Sequence, residues 1–183
     1  IGTMPRLAFE LFACSGVRRG DMHVMGMQHV KGRTLYMRTA KSGVPITVDL
    51  TDRALEAIEA TGKPDMAFMR KPDGQPFKSK ESFGNWFSAR CREAGLETGK
   101  SAHGIRKLAA TLAADGGAST HALMAHFGWQ TVQQAETYTR GSDRTRLGKA
   151  SSALLAGEIE NKLPRTLKSG AGLRQKSANK STG

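Results

Sequence analysis

Apolar residues recur at helical spacing along most of the chain. Leu7, Ala8, Leu11 and Phe12, for example, would share one face of a helix over residues 5–15. Serine, threonine or aspartate stands where several later helices would begin, and these residue types cap helix N-termini well. The pattern predicts further helices from about Asp21, from Thr51 or Asp52, from Ser79 to about residue 94, over 103–114, from Ser119, over 131–138 and from about Arg144 to Glu160.

Between residues 34 and 50 apolar residues recur at every second position instead of at helical spacing. Two runs, Leu35 to Met37 and Ile46 to Leu50, alternate apolar and polar residues as β-strands do. Lys41-Ser42-Gly43 separates them as a turn, so we expect a β-hairpin. Residues 62–78 are rich in Gly, Pro, Lys and Asp, and we expect a loop there. The fold class is therefore α+β, mainly α-helical with a small antiparallel β-sheet.

Several further apolar side chains are expected to pack in the core. Trp86 lies on the apolar stripe of the helix that follows Ser79, and Tyr36 lies in the first predicted strand. Cys14 and Cys91 stand far apart within apolar helical patterns, which favours buried thiols in a reducing compartment. In the helix over residues 103–114, the apolar stripe consists of Ile105, Leu108, Ala109 and Leu112.

The composition adds a strong basic excess. Lys and Arg number 28 and Asp and Glu 16, which gives a formal net charge of +12 at pH 7. Such an excess favours a polyanionic partner, with nucleic acid ahead of an anionic membrane surface. From residue 157 to the end, six basic side chains stand against Glu158 and Glu160, so this stretch carries four of the twelve charges. We expect one domain over residues 1–160 and a basic, disordered tail over residues 161–183.

Several classes of protein are excluded by what the sequence lacks. No run approaches the roughly 18 consecutive apolar residues of a transmembrane helix, and the start does not read as a signal peptide. Cysteine and histidine do not cluster at the spacing of a zinc site, and the sequence has no G-x-x-x-x-G-K-[ST] loop. We therefore expect no membrane association, no metal and no cofactor.

Four separated segments carry unusual polar residues. They are Ser15-Gly16-Val17-Arg18-Arg19-Gly20-Asp21-Met22, Lys41-Ser42-Gly43, His103-Gly104-Ile105-Arg106, and Phe127-Gly128-Trp129 followed nine residues later by Tyr138. Each alone is a weak signal. In their order and spacing together, over about residues 5–150, the chain resembles the catalytic domain of tyrosine recombinases, the phage integrase family. The resemblance implies the fold of that domain and a site-specific DNA recombinase that works through a 3′-phosphotyrosine intermediate.

The resemblance implies a transesterification at a DNA phosphodiester. Tyr138 matches the nucleophile, which attacks phosphorus while the 5′ oxygen leaves. A phenol has a pKa of about 10 and must lose its proton, and His103 is the candidate base. Arg18 and Arg106 match two arginines that hold the non-bridging oxygens as charge builds on them. Lys41 matches the lysine of the hairpin turn and would protonate the leaving alkoxide, so the implied reaction needs neither metal nor ATP.

Two matched positions differ from the commonest residue of the family. Trp129 falls where most members have a second histidine, and its indole N–H can donate to a phosphate but cannot accept a proton. Asp21 falls at a supporting acidic position that is usually Glu. His126 lies near Trp129 but precedes Gly128 rather than following it, so we expect His126 to be a structural or surface residue.

The resemblance also implies double-stranded DNA with a specific attachment site as the partner. Arg19, Arg38, Lys107 and Arg140 are expected to contact its backbone. Arg19 is also the competitor of Arg18 for the catalytic position, and the spacing from Gly16 favours Arg18. We expect a homotetramer on DNA, a monomer in solution, and a place in the bacterial cytoplasm at the nucleoid.

Two other interpretations stay open from the sequence. A type IB topoisomerase or telomere resolvase shares the tyrosine and arginine chemistry, and a non-catalytic DNA-binding module would use the basic surface alone. The short spacing from His-x-x-Arg to Tyr138 and the small size favour an integrase. Relatives close around DNA with an N-terminal core-binding domain that has no counterpart in this sequence. We therefore expect a truncated chain that begins just before the first catalytic-domain helix.

Overall fold

The computed structural model describes residues 2–62, 66–97 and 101–163. The chain divides into two units, Ile1–Thr145 and Arg146–Gly183. In chain order the elements are α1 (Met4–Ser15), α2 (Arg19–Met22), a 3-10 turn (Met27–His29), β1 (Val30–Lys31), β2 (Thr34–Arg38), β3 (Pro45–Asp49), α3 (Asp52–Ala60), α4 (Lys80–Glu93), α5 (Ala102–Asp115), α6 (Thr120–Phe127) and α7 (Val132–Lys162). Of the second unit, the described part is the C-terminal stretch of α7 and Leu163.

Side-chain caps start three of the helices as the sequence predicted. The hydroxyls of Thr51, Ser79 and Ser119 each accept a hydrogen bond from the backbone N–H three residues later. These bonds satisfy N–H groups that have no partner inside the helix, so α3, α4 and α6 begin at the expected places.

The end of the chain differs from the prediction, because the two helices expected over 131–138 and from about Arg144 are one helix, α7. Its start agrees with the capping pattern, since Oε1 of Gln134 accepts from the backbone N–H of Gln130 and of Thr131. Gly141 is a weak helix former but costs only about 1 kcal/mol there. The Ser142 hydroxyl donates to the Asp115 carboxylate and ties this stretch of α7 to the end of α5.

From residue 164 onward, the expected tail lies outside the described residues. Residues 63–65 of the predicted loop lie outside them as well. Within the described ranges, every helix falls short of the length and apolar character that a bilayer crossing requires.

The predicted hairpin is present, with a short third strand beside it. The sheet is antiparallel in the order β1-β2-β3, and Leu35 pairs with Val48 while Met37 pairs with Ile46. These four side chains are buried on one face. Tyr36 lies between two of them and therefore points to the opposite face, where it is 50% exposed, so its expected core position was wrong.

Two apolar clusters make up the core of the first unit. The larger joins α1, the sheet, α3 and α4, and its centre is an aromatic group in which Phe12 contacts Phe83 and Phe87. Trp86 packs against this cluster as predicted. The smaller cluster lies among α5, α6 and the start of α7, and its members are Ala110, Ala114, Leu123, Phe127, Trp129 and Ala135.

Helix α5 buries a different stripe from the one predicted. Arg106, Ala110 and Ala114 face inward, one turn apart, while Leu108 is 52% and Leu112 is 61% exposed. The prediction that these two leucines are core was wrong. Small alanines let α5 approach its neighbours closely, and Arg106 is buried because it finds polar partners there.

We predict that Gly16→Ala destabilises the protein far more than Gly43→Ala. Both glycines have positive φ, +56° and +64°, so both substitutions cost roughly 1 kcal/mol or more in backbone strain. A Cβ at Gly16 would also run into the Phe127 ring, whereas no atom of the described residues lies within 4 Å of one at Gly43. Overpacking adds about 1–3 kcal/mol at Gly16 alone. Urea unfolding of both variants measures the difference, and equal losses would contradict the packing described here.

Candidate active site

A cleft of about 700 Å³ lies among α2, the β2–β3 turn, α4 and the start of α5. Four of the predicted catalytic residues line it: Arg18, Lys41, His103 and Arg106. Asp21 lines it as well. Residues from three distant stretches of the sequence therefore meet at one place, which supplies several cations around a space open to a ligand.

Arg106 is the most buried of these cations, at 7% exposure. Its Nη1 donates to the carbonyl of Gly16 at 2.5 Å, and its Nη2 donates to the carbonyl of Phe127 at 2.8 Å. These carbonyls stand at the C-terminal ends of α1 and α6, where carbonyls lack helical partners and the helix dipoles are negative. One guanidinium thus connects two helix ends. It has more N–H donors than these bonds use, so it can also hold an anionic ligand.

Arg106 keeps its positive charge although its side chain is buried. Removal from water, and next the nearby positive charge of Arg18, lower the pKa of Arg106 to about 10. Asp21 and Tyr138 act in the opposite direction. With a pKa of about 10, the side chain stays protonated at neutral pH.

Two glycines allow the helix ends to come together around Arg106. Gly16 and Gly128 follow α1 and α6, with φ of +56° and +61°. A Cβ on Gly16 would meet the ring of Phe127, and one on Gly128 would lie 2.8 Å from Cγ2 of Thr39. Glycine is therefore required at both positions for close approach as well as for conformation.

Arg18 has donor capacity that the protein itself leaves unused. It stands just before α2 and is half-buried, and its Nη1 is buried without a hydrogen-bond partner among the described residues. An unpaired buried donor costs about 1–3 kcal/mol. Arg18 itself lines the cleft, so an acceptor that reached this donor there would recover that free energy.

Asp21 ties α2 to the turn that carries Lys41. It is almost fully buried, and its Oδ1 accepts a hydrogen bond of 2.7 Å from the backbone N–H of Ala40. Within the turn, the backbone N–H of Gly43 donates to the carbonyl of Thr39. Lys41 therefore stands on a turn that is anchored directly to the segment of Arg18.

Trp129 and Tyr138 do not line the cleft. Trp129 lies beside Arg106, which does line it, and Tyr138 stacks on Trp129. The Trp129 ring stacks on that of Tyr138 at 5.3 Å between centroids and 8° between planes. On its other side Trp129 stacks on Phe127 at 4.9 Å. The guanidinium carbon of Arg106 lies 5.2 Å and 5.5 Å from the ring centroids of Phe127 and Trp129. Burial of the cation beside these rings adds cation–π attraction.

The cleft contains two residues that sequence reasoning missed. Lys80, in the first turn of α4, and His23, whose Nδ1 lies 2.8 Å from the carbonyl of Gly20, both line it. Neither belongs to a recognisable motif, so nothing in the sequence distinguishes them from other surface residues. Lys80 adds a positive charge to the cleft that the motifs alone do not indicate.

The expected DNA-contacting residues separate into two groups. Arg19 lines the cleft and lies against α4 at Gly84, where a Cβ would run into its side chain. The structure does not place the other three, Arg38, Lys107 and Arg140, in the cleft. Arg38 donates to the carbonyl of Gly43, Arg140 pairs with Glu136 at 3.4 Å, and Lys107 is exposed on α5.

His126 lies outside the cleft. It packs beside Phe127, and burial, followed by the positive charge of Arg106, lowers its pKa below 6.5, while backbone groups of Cys14 and Ser15 act in the opposite direction. A lowered pKa keeps the imidazole neutral beside Arg106.

We predict that the free energy of unfolding falls as pH is lowered through about 6.5 and that His126 causes part of the fall. The unfolded state binds the His126 proton at a higher pH than the folded state does, so acid favours unfolding. His126→Gln, which is neutral throughout, should give a flatter profile in urea unfolding between pH 7.5 and 5.5. His121→Gln, on the exposed face of the same helix, is the matched control. Parallel profiles for wild type and His126→Gln would contradict this assignment.

Comparison with known proteins supports the fold. Residues 2–144 match the model of the phage integrase family, and no curated protein matches the chain. A lambda integrase dimer bound to a COC′ core site is similar with a TM-score of 0.62 and 22% identity, covering 74% of this chain and 52% of that one. XerA recombinase gives 0.61 and 17%, covering 87% and 59%. Tn1549 transposon integrase in complex with transposon right end DNA gives 0.61 and 14%, covering 79% and 58%.

At these identities the solved structures show the fold alone, and they confirm the expected α+β catalytic-domain fold. The chain spans between about half and three fifths of the length of these structures. The family model covers most of the chain, from residue 2 to residue 144. The chain belongs to the phage integrase family.

Proposed function

We propose that this chain is the catalytic part of a site-specific DNA recombinase that cuts and rejoins strands through a 3′-phosphotyrosine. The observation that carries the proposal is the meeting of Arg18 and Arg106 at one cleft, with Tyr138 held beside Arg106 through Trp129. Membership of the phage integrase family supports it.

The scissile phosphate binds between the two arginines in this proposal. Arg18 supplies the buried Nη1 that has no protein partner, and Arg106 supplies the donors that its two carbonyl bonds leave over. Charge builds on the non-bridging oxygens in the transition state. Cations fixed in advance stabilise that charge without reorganising, which is the most effective form of electrostatic catalysis.

Tyr138 is the nucleophile. Its oxygen forms a bond to phosphorus as the bond from phosphorus to the 5′ oxygen breaks, and His103 at the start of α5 takes the phenol proton. The ionised phenol interacts favourably with Arg106, which is the reason that Tyr138 raises the pKa of Arg106.

Lys41 donates a proton to the leaving 5′ oxygen. Its anchor, the bond from Ala40 to Asp21, keeps the turn close to the arginine segment. A lysine on a turn can follow the alkoxide as it departs. Trp129 adds its indole N–H as a further donor to the phosphate.

The proposal requires neither a metal ion nor ATP. Arginine and lysine supply the positive charge, and the phosphotyrosine conserves the energy of the broken diester for resealing. Arg19 and Lys80 extend the basic lining of the cleft toward neighbouring phosphates, while Arg38, Lys107 and Arg140 would contact the backbone elsewhere. The full protein would act as a tetramer on a specific site, a proposal that the structure of a lambda integrase tetramer bound to a Holliday junction supports.

We predict that the chain forms a covalent adduct with a nicked suicide duplex. The duplex carries a site that the chain binds in selection from random sequence, and the reaction contains EDTA and no nucleotide. Denaturing gels should show the adduct for wild type and for Tyr36→Phe, which alters the chain's only other tyrosine, exposed on β2. Tyr138→Phe should show none, because the attacking oxygen is gone.

The outcomes separate the proposal from its competitors. No adduct from wild type on a site that it binds would overturn the proposal and favour a non-catalytic DNA-binding module. An adduct that persists in Tyr138→Phe would show that the nucleophile is wrongly assigned. Relaxation of supercoils without exchange between two sites would favour a topoisomerase.

A further inference from the structure

A smaller cavity lies apart from the cleft, among the start of α1, helix α4 and the loop between α3 and α4. Its volume is about 230 Å³, and three of the residues that line it are cations, Arg70, Lys71 and Arg90. None of its lining residues lines the cleft. The cavity is therefore a second basic space, which the proposed reaction does not use.

The cleft and the cavity lie on opposite sides of α4. Gly84 and Ser88, one turn apart, line the cleft, whereas Trp86 and Arg90, also one turn apart, line the cavity. The two pairs are offset by two residues, which corresponds to about 200° around a helix. A ligand in the cavity would thus leave the cleft free.

Buried donors without partners occur at both places. Four buried side-chain nitrogen or oxygen atoms of the described residues have no hydrogen-bond partner: Arg18 Nη1, Asp21 Oδ2, Arg70 Nε and Arg90 Nε. The first two belong to residues that line the cleft, and the other two belong to residues that line the cavity. An unpaired buried N–H is unfavourable. Both arginines of the cavity would therefore gain from an acceptor placed between them.

The loop holds two of the cations in a fixed position. Arg70 forms a β-bridge with Pro76, and the backbone N–H of Lys71 donates to the carbonyl of Gln75 at 2.8 Å. Nη2 of Arg70 also donates to the carbonyl of Thr61, just after α3, at 3.2 Å. These bonds place the cations beside α4 before any ligand arrives.

The carboxylates nearby do not neutralise the cavity. Nζ of Lys71 lies 2.6 Å from Oδ2 of Asp73, and Nη2 of Arg90 pairs with Glu93. Both carboxylates are 57% exposed, and neither lines the cavity. Exposed ion pairs of this kind are weak. Arg70 pairs with no carboxylate of the described residues, so the cluster keeps a net positive charge.

We propose that this cavity binds one phosphate group, with Arg70 and Arg90 as donors and Lys71 as a further positive charge. Arginine forms strong charge-assisted hydrogen bonds to phosphate oxygens. A small rotation of these long side chains turns Nε–H toward an oxygen in the cavity. The first turn of α1, which closes the cavity through Met4 and Pro5, has no acidic residue and carries the positive end of the helix dipole.

The phosphate group has two possible sources, free inorganic phosphate and the backbone of DNA. The site does not depend on the proposed function, because no residue assigned to the reaction takes part in it. It can therefore be tested on the full chain without DNA and without any measurement of activity.

The test is a titration with sodium phosphate, followed by NMR of the ¹⁵N-labelled arginine Nε–H groups. Arg70→Gln and Arg90→Gln assign the two signals, since each variant lacks one. In wild type both signals should shift and reach saturation with the same Kd. Arg90→Gln should weaken phosphate binding at the Arg70 signal about tenfold, as expected for the loss of a charged hydrogen bond.

The controls separate a built site from general attraction of anions. Arg92→Gln removes the same charge from an exposed position on the same helix and should leave the affinity unchanged. Equal weakening in Arg92→Gln and Arg90→Gln would overturn the proposal. So would signals that shift no further with sodium phosphate than with sodium chloride of the same ionic strength, unless the duplex described next moves them.

A second arm identifies the source of the phosphate group. In phosphate-free buffer, a duplex with a site that the chain binds is added instead. Shifts of the Arg70 and Arg90 signals would support the site and assign it to the DNA backbone. Signals that ignore the duplex but respond to phosphate added to the DNA complex would support the site and assign it to the free anion. No response to either ligand would overturn the proposal.

Discussion

The structure depends above all on the burial of one positive charge between two helix ends. A guanidinium removed from water is unfavourable unless its hydrogen bonds are replaced. Arg106 replaces two of them with carbonyls that α1 and α6 leave unpaired at their C-termini. The guanidinium and the carbonyls thereby satisfy each other's hydrogen bonds, since helix ends also need partners when they are buried. The interaction brings residues 16, 106 and 127 to one point.

The position of Arg106 between the two helix ends explains the other features of the site. Gly16 and Gly128 are needed because the helix ends lie so close to the ring of Phe127 and to Thr39 of the hairpin. Arg18 lies two residues after Gly16 and therefore enters the cleft beside Arg106. Asp21, in the same segment, then fixes the turn of Lys41 through Ala40. On the far side, Phe127 begins the stack that ends at Tyr138. Arg106 thus lies both at the cleft and beside the stack that ends at Tyr138.

Much of this could be predicted from the sequence because it is local or ordered along the chain. Caps such as Thr51 and Ser119 act within one turn of helix, and the hairpin follows from alternation over a few residues. The cleft residues Arg18, Lys41, His103 and Arg106 were identified by the order of their motifs. Their detailed roles stay predictions.

The errors have a common physical cause, which is that tertiary partners decide burial. Leucines at 108 and 112 suit a core better than an arginine does, yet Arg106 is buried because two distant carbonyls receive it. Hydrophobic spacing carries no information about such partners. The Ser142 hydroxyl likewise bonds to Asp115, which is distant in the sequence, and ties α7 to the end of α5. Neither contact is visible in a local pattern.

The central claim is that Arg106 is at once a structural tie and a phosphate ligand. Arg106→Lys tests it directly, because an ammonium keeps the charge but lacks the planar fork that spans two carbonyls. Urea unfolding and single-turnover adduct formation should be measured on the same preparation, with Arg140→Lys as the exposed control for stability. We expect the free energy of unfolding to fall by about 1.5–3 kcal/mol and the rate to fall by roughly a hundredfold or more. Wild-type stability in Arg106→Lys would contradict the account.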